Sequence, residues 1–425
     1  MRQLQASDCE NRSFAPASID EHGGAIGPGA LYAVLGSMFL LANLVNLYLS
    51  RTSSAGDIAV FAVALVSLPV TLHGGWRKLD VWLVLSFLPL LLTYGLSTLE
   101  FPSFDAAKHT VSIVVVLATL IFFYAFSEAL FKSRVFLCAV VFAALMTFLV
   151  RFTPYAPNKN TASGAFAYIV FLAALIYAGR SNRPGWLIPA ALFTTIGVVA
   201  FLEGDRGVAG LSLLGLTMFF GLKLVRNGIV VHYGIFPVMI VSIGLLVAVF
   251  TQPSLLEMLH EFSQIITDET GRPATSGREV IWPIILDAVS REMWFGLGAG
   301  TVLGDLVTTR LSAHSMYLQV LMQTGVVGLS SFLLVLFSLW RSARPRRQEG
   351  DKTFRIILTS ILFFVVLHNA AETFLIQNAL VIGIPAWICI GVGLGHLAQT
   401  FKGRTVPFEL RGVNAPPPVH RWRAS

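Results

Sequence analysis

Apolar runs of about the length of a bilayer-crossing helix recur along the chain at 30–50, 56–74, 79–98, 109–131, 134–152, 162–178, 185–202, 207–225, 229–250, 315–340, 355–376 and 378–398. Such a helix needs about 20 mostly apolar residues, because every backbone polar group in hydrocarbon must be satisfied within it. The pattern predicts an all-α polytopic integral membrane protein with about twelve transmembrane helices.

One interval breaks the rhythm of short polar connections. Residues 251–313 form a long loop between two apolar runs, and loops of that length usually carry function. Within it, Ile281, Ile285, Ala288 and Val289 recur at helical spacing, with Trp282 and Trp294 near the ends, which predicts a short helix suited to lie along the membrane surface. The organisation that follows is a disordered cytoplasmic tail (1–29), transmembrane helices 1–9 (30–250), the long loop (251–313), transmembrane helices 10–12 (314–398) and a second cytoplasmic tail (399–425).

Composition agrees with the pattern. The 425 residues are 55% hydrophobic and 12% charged, too apolar for a soluble protein of this length. Cys9, Cys138 and Cys389 lie far apart, so neither a disulfide framework nor a zinc motif is implied. The net charge of +7 is divided among short loops without a continuous basic stripe, which excludes nucleic acid as a partner.

That division sets an orientation. With the N-terminus in the cytoplasm, Arg77, Lys78, Lys132, Arg134, Arg180, Arg183, Lys223, Arg226, the group from Arg341 to Arg355, Lys402 and Arg404 all fall inside. The outer face keeps Arg51, Lys108, Arg151, Lys159, Arg206, Arg272, Arg278, Arg291 and Arg310. Orientation does not account for these, so they need a chemical reason.

The stretch SAHSMYLQVLMQTGVVG, Ser312 to Gly328, opens an apolar helix with a histidine. A histidine there can be a polar helix start, with Ser312 or Ser315 as the cap, or a group that handles a proton near neutrality. Gly325 and Gly328 read as packing positions that let helices approach closely. In HNAAETF, His368 and Glu372 share a helical face; the carboxylate can hold an arginine, bind a sugar hydroxyl or pair with His368.

Arg278 and Trp282, the Gly296, Gly298, Gly300 run, and His314-Ser315 followed by nine residues and Gly325-Val-Val-Gly328 together resemble the O-antigen ligase and O-antigen polymerase superfamily. PNKNTASG at 157–164 is similar to the family's Asn-rich start of a middle helix. EGDRGVAG at 203–210 looks like its Ser-Arg-Gly turn, with Asp205 in place of Ser. The string GRPATSGREVIW, 271–282, is closer to the exopolysaccharide-polymerase branch than to the lipopolysaccharide ligases.

The resemblance implies a GT-C-like membrane glycosyltransferase of the bacterial inner membrane, working at its periplasmic face. The donor would be a polyprenyl (undecaprenyl) diphosphate-linked glycan and the acceptor a sugar hydroxyl of another glycan or of lipid A core. Inversion at the anomeric carbon, with no metal and no cofactor, is also implied; polymerase is favoured over ligase.

By the same resemblance His314 and Arg278 are catalytic. The resemblance would have Arg206 and Arg278 bind the diphosphate with Lys108 as an additional basic contact; Arg272, six residues before Arg278, is either a helper there or a solvated loop charge, and Glu372 and Ser315 are the expected supporting residues. Guanidinium groups suit a diphosphate leaving group, since each can bond two oxygens and stabilise charge that develops in the transition state. Membrane lipids and other polysaccharide assembly or export proteins are the further partners implied. The competing class is a transporter or flippase for lipid-linked sugars, which would show related halves and interrupted helices with polar groups near the midplane.

Overall fold

A computed structural model of the chain describes residues 27–49, 55–75, 78–150, 153, 159–181, 185–202, 205–224, 228–270, 277–307, 312–344, 352–377 and 380–402. Sixteen helices follow one another in these segments: α1 (Pro28–Leu49), α2 (Ala55–Gly74), α3 (Val81–Leu85), α4 (Phe87–Glu100), α5 (Phe104–Lys132), α6 (Arg134–Val150), α7 (Lys159–Arg180), α8 (Leu187–Leu202), α9 (Arg206–Leu224), α10 (Gly228–Val249), α11 (Pro253–Thr270), α12 (Arg278–Arg291), α13 (Leu303–Leu306), α14 (Met316–Ser342), α15 (Lys352–Ala371) and α16 (Leu380–Lys402). No strand occurs among the described residues.

Each of the twelve apolar runs is a helix or helix pair. Ten spans, with α3 and α4 counted as one, are long and apolar enough to cross a membrane, while α6 and α8 are shorter apolar helices of 17 and 16 residues. The chain is a multi-pass membrane protein. Its centre is α16, packed most extensively against α5 and then α7. Gly391 and Gly395 make this approach possible, because a Cβ at either would run into the backbone carbonyls of Leu120 and Tyr124. On the periphery, α10 exposes Val238, Val241 and Leu245, the surface a lipid-facing helix should have.

Two boundaries differ from the hydropathy reading. The run 355–376 is helical only to Ala371, after which Glu372–Gln377 continue as non-helical chain, buried from Thr373 onward, with Phe374, Leu375 and Ile376 fully covered. Hydropathy records only that such residues are buried. At the other end, α16 runs to Lys402, past the tail boundary at 399.

The long loop folds into α11, α12 and α13. The expected helix around Ile281 is α12, but its apolar face is covered by the protein: Ile281, Trp282, Ile285 and Val289 join Phe250, Leu303, Leu318 and Met322 in a satellite core. Trp282 Nε1 donates to the Ala313 carbonyl at 2.9 Å, tying α12 to the residue before His314.

α14 is not continuous. Gly325 has φ +63° and ψ −162°, which breaks the helix in mid-span. The Gly296 segment repairs the ladder from the side: Leu297 and Gly298 N–H donate to the Met322 and Gln323 carbonyls at 2.8 and 3.1 Å, and Val326 and Val327 N–H donate to the Met293 and Trp294 carbonyls at 2.9 and 3.2 Å. Gly325 is therefore a backbone hinge and not only a packing position, while Gly328, buried against Thr324 and Thr93, keeps the packing role. Beside the break, Gln377 Nε2 donates to Gln323 Oε1 at 2.7 Å and to the Tyr94 hydroxyl at 3.1 Å.

Candidate active site

Helix starts and ends converge at one end of the bundle. His314 precedes α14, Glu372 follows α15, Arg278 begins α12, and Asn160 and Asp205 lie at the starts of α7 and α9. Ser315 is the α14 N-cap, its hydroxyl accepting from Leu318 N–H at 3.5 Å, and Ser312 Oγ accepts from His314 N–H at 3.3 Å. Of the two serines, Ser315 is the cap of α14. His314 itself sits between them with φ +47°, the one non-glycine residue in the left-handed region among those described.

Glu372 is the hub. Its Oε2 lies 3.7 Å from His314 Nδ1, within ion-pair range but longer than a hydrogen bond. Its Oε1 accepts from Asn160 Nδ2 at 2.8 Å. Burial alone would raise this carboxyl, but His314 and Asn160 outweigh burial and hold it below the ordinary carboxylate range. Its own N–H returns to the His368 carbonyl at 2.9 Å.

The pairing with His368 is not formed. The His368 imidazole turns instead to Tyr168, Nδ1 to hydroxyl 3.1 Å, and stacks among Tyr168, Phe364 and Phe374.

Arg278 reaches the same place from α12. One terminal nitrogen, Nη2, donates to the Ala371 carbonyl at 2.8 Å, the residue before Glu372, and its Nε is buried without a hydrogen-bond partner. Burial lowers its pKa from the usual value, opposed by Glu372 and then Glu279; a guanidinium remains charged at neutral pH. The Gly277 φ of +81° lets the chain turn into α12 immediately before it. Asp205 caps α9 by accepting from Val208 N–H at 3.0 Å with one carboxylate oxygen. Burial pushes this carboxyl above its ordinary range, and Glu372 adds to the push.

An apolar cavity of about 450 Å³ abuts the polar group. Leu211, Leu214, Ile243, Leu246, Phe250 and Trp282 contribute to its walls, and Arg278 lies on its lining beside Ala370 and Ala371.

Residues 190–333 match the O-antigen ligase family. The stretch carries Asp205, Arg206, Arg278, His314 and Gly325 to Gly328, so the superfamily resemblance read from the motif holds over it. O-antigen ligase-type chains are glycosyltransferase-like, and a function of that general ligase or polymerase type is supported here. Asn160 and Glu372 lie outside the matched stretch, as does Lys108. No curated protein shows a significant match to the chain.

The remaining expected site residues fare differently. Lys108 is 3.2 Å from Asp57, a carboxylate that also accepts from Asn46, so its charge already has an internal partner. Arg206 heads α9 beside Asp205, though its side chain lies outside the described part, and Arg272 lies outside the described residues. Sequence reasoning assigned no role to Asn160, which holds the hub carboxylate, although PNKNTASG already carried the loose family likeness.

Proposed function

We propose that this protein transfers a glycan from a polyprenyl-diphosphate carrier to a sugar hydroxyl at the periplasmic face of the bacterial inner membrane, as a polysaccharide polymerase in preference to a lipid A core ligase. The observation that carries the reading is the position of Arg278, on the wall of an apolar cavity and bonded to the carbonyl of Ala371, the residue before the carboxylate that pairs with His314. A substrate with an apolar chain, an anionic diphosphate and a reacting sugar has those three demands in that order. Polymerase is preferred on the likeness of GRPATSGREVIW to the exopolysaccharide branch.

In this reading the polyprenyl chain occupies the cavity and Arg278, with Arg206 and Arg272, holds the diphosphate. The acceptor oxygen attacks the anomeric carbon, the bond from that carbon to the diphosphate oxygen breaks, and the electron pair leaves with the diphosphate. The acceptor proton goes to His314. With its Nδ1–H turned to Glu372, the imidazole keeps the lone pair on Nε2 for that proton. The 3.7 Å separation is of the loose kind that tightens when substrate binds.

Arg278→Lys keeps the charge but loses the planar fork that can bond two phosphate oxygens at once. With purified protein, donor lipid-linked glycan and acceptor, transfer by this variant is expected to fall by on the order of 10²-fold, the scale of losing one donor to developing charge. Near-normal transfer, with normal folding, would remove the diphosphate role.

The broken α14 with buried Gln323 and Gln377 is the feature that favours the transport alternative. Vesicles reconstituted with the protein and lipid-linked glycan but no acceptor separate the two: movement of glycan across the bilayer without transfer would replace the transferase reading.

A further inference from the structure

His314 and Glu372 belong to two different elements, and those elements meet a second time. His314 lies just before the first piece of α14, and Gln323 lies near the end of that piece, two residues before the Gly325 break. Glu372 opens the non-helical segment that follows α15, and Gln377 closes it. At one end the imidazole and the carboxylate face each other across 3.7 Å; at the other, Gln377 Nε2 donates to Gln323 Oε1 at 2.7 Å. The Tyr94 hydroxyl completes this second contact, donating to Gln323 Oε1 at 2.9 Å and accepting from Gln377 Nε2 at 3.1 Å. Both glutamines and Tyr94 are fully buried.

A backbone carbonyl fixes the direction of these bonds. Gln323 Nε2 donates to the Thr301 carbonyl at 3.0 Å, which can only accept, so Gln323 turns its oxygen toward Gln377 and Gln377 turns its nitrogen toward Gln323. Gln377 Oε1 is then buried without a hydrogen-bond partner. An unpaired buried oxygen is unfavourable, whereas an apolar side chain of similar shape would fill the same place without that cost. Packing alone therefore does not account for a glutamine at 377.

We propose that Gln377 is a positioning residue for the reaction: by bonding Gln323 and Tyr94 it fixes the Glu372–Gln377 segment against the first piece of α14, and so sets the distance between Glu372 and His314. The proposal rests on the transferase reading above. Two other bonds hold the segment, Glu372 N–H to the His368 carbonyl of α15 and Trp387 Nε1 of α16 to the Leu375 carbonyl. Neither reaches α14. The Gln377 amide does, and α14 is the element that begins at His314.

Gln377→Met removes the amide at nearly constant length and volume. Tyr94→Phe removes one hydroxyl and carries the same test should Gln377→Met not fold. Each would be made in wild type and in Glu372→Gln, purified, and compared by thermal unfolding, hydrogen exchange of the 372–377 amides, donor KM and kcat. With melting close to wild type, the 372–377 amides of Gln377→Met should exchange on the order of 10-fold faster, the scale of a lost hydrogen bond. Its kcat should fall by about 10- to 100-fold at unchanged donor KM, as when a reacting pair is held out of place. Tyr94→Phe should show both changes in smaller measure.

In the Glu372→Gln background neither substitution should lower kcat further, because the group they position is already gone. Losses that multiply in the double variants would overturn the proposal, since Gln377 would then act by a route other than Glu372. So would unchanged exchange and kcat in Gln377→Met, or a fall in kcat that only follows a loss of folded protein. The exchange measurement needs no turnover: wild-type protein that transfers nothing would remove the transferase reading, while unchanged exchange would remove the brace.

Discussion

At His314 the backbone and the side chain make separate demands. A φ of +47° is unusual for a residue with a Cβ, and Asn and His are among the side chains found there more often than most. Such outliers persist where surrounding structure holds them, here the Ser312 and Ser315 hydroxyls on either side and Trp282 on the preceding carbonyl. His314→Asn should therefore keep the left-handed turn and the amount of folded protein, while transfer falls by on the order of 10²- to 10⁴-fold, the range for losing a general acid or base. Turnover equal to wild type in a purified assay would mean that the histidine only begins the helix. A histidine as a candidate for the site was legible from its motif, but its pairing with Glu372 was not: the carboxylate is 58 positions away, and the helical-face reading offered it His368 as a partner.

The element that most departs from a simple reading is α14. By hydropathy it is one apolar run; in the fold it is two helical pieces, joined at Gly325 by a backbone conformation that only glycine adopts without strain. Its ladder is completed by Leu297, Gly298, Met293 and Trp294, so the Gly296 run and the Gly325 motif serve one joint. Unsatisfied backbone in hydrocarbon is costly, which is why these two segments depend on each other. Gly325→Ala is expected to strain the hinge by about 1–3 kcal/mol and to collide with the Trp294 carbonyl, lowering the melting temperature in detergent and the yield of folded protein together with activity. Unchanged melting would show that α14 can run straight and that the hinge is dispensable. Gly328 carries no such positive φ, so Gly328→Leu should act through packing alone, crowding Thr324 and Thr93.

Across the whole molecule the two ends of the bundle differ in chemistry. One end gathers His314, Glu372, Arg278, Asp205 and Asn160 with the cavity behind them; the other gathers Lys78, Lys132, Arg134, Arg180, Arg341 and Arg355 at the opposite helix termini. If the first end faces the periplasm, a single cysteine at Ser276, in a background without Cys9, Cys138 and Cys389, should react with a membrane-impermeant thiol reagent in intact cells. One at Gln348 should not. Both positions lie outside the described residues, Ser276 shortly before α12 and Gln348 between α14 and α15 in sequence. Labelling at 348 alone would invert the molecule and move the site to the cytoplasm.

The number and placement of the spans were decided by the chain's own order of apolar and polar residues, because crossing hydrocarbon is a demand that each helix meets by itself. The motif around His314 and Arg278 was likewise local, a matter of spacing along one stretch. Tertiary structure alone decided which distant groups meet: Asn160 with Glu372, Arg278 with the end of α15, and the Gly296 segment with the opened turn of α14. Those contacts join residues tens to hundreds of positions apart, and no periodicity records them, because they arise where buried polar groups in a low-dielectric interior must find partners that their own helices cannot supply.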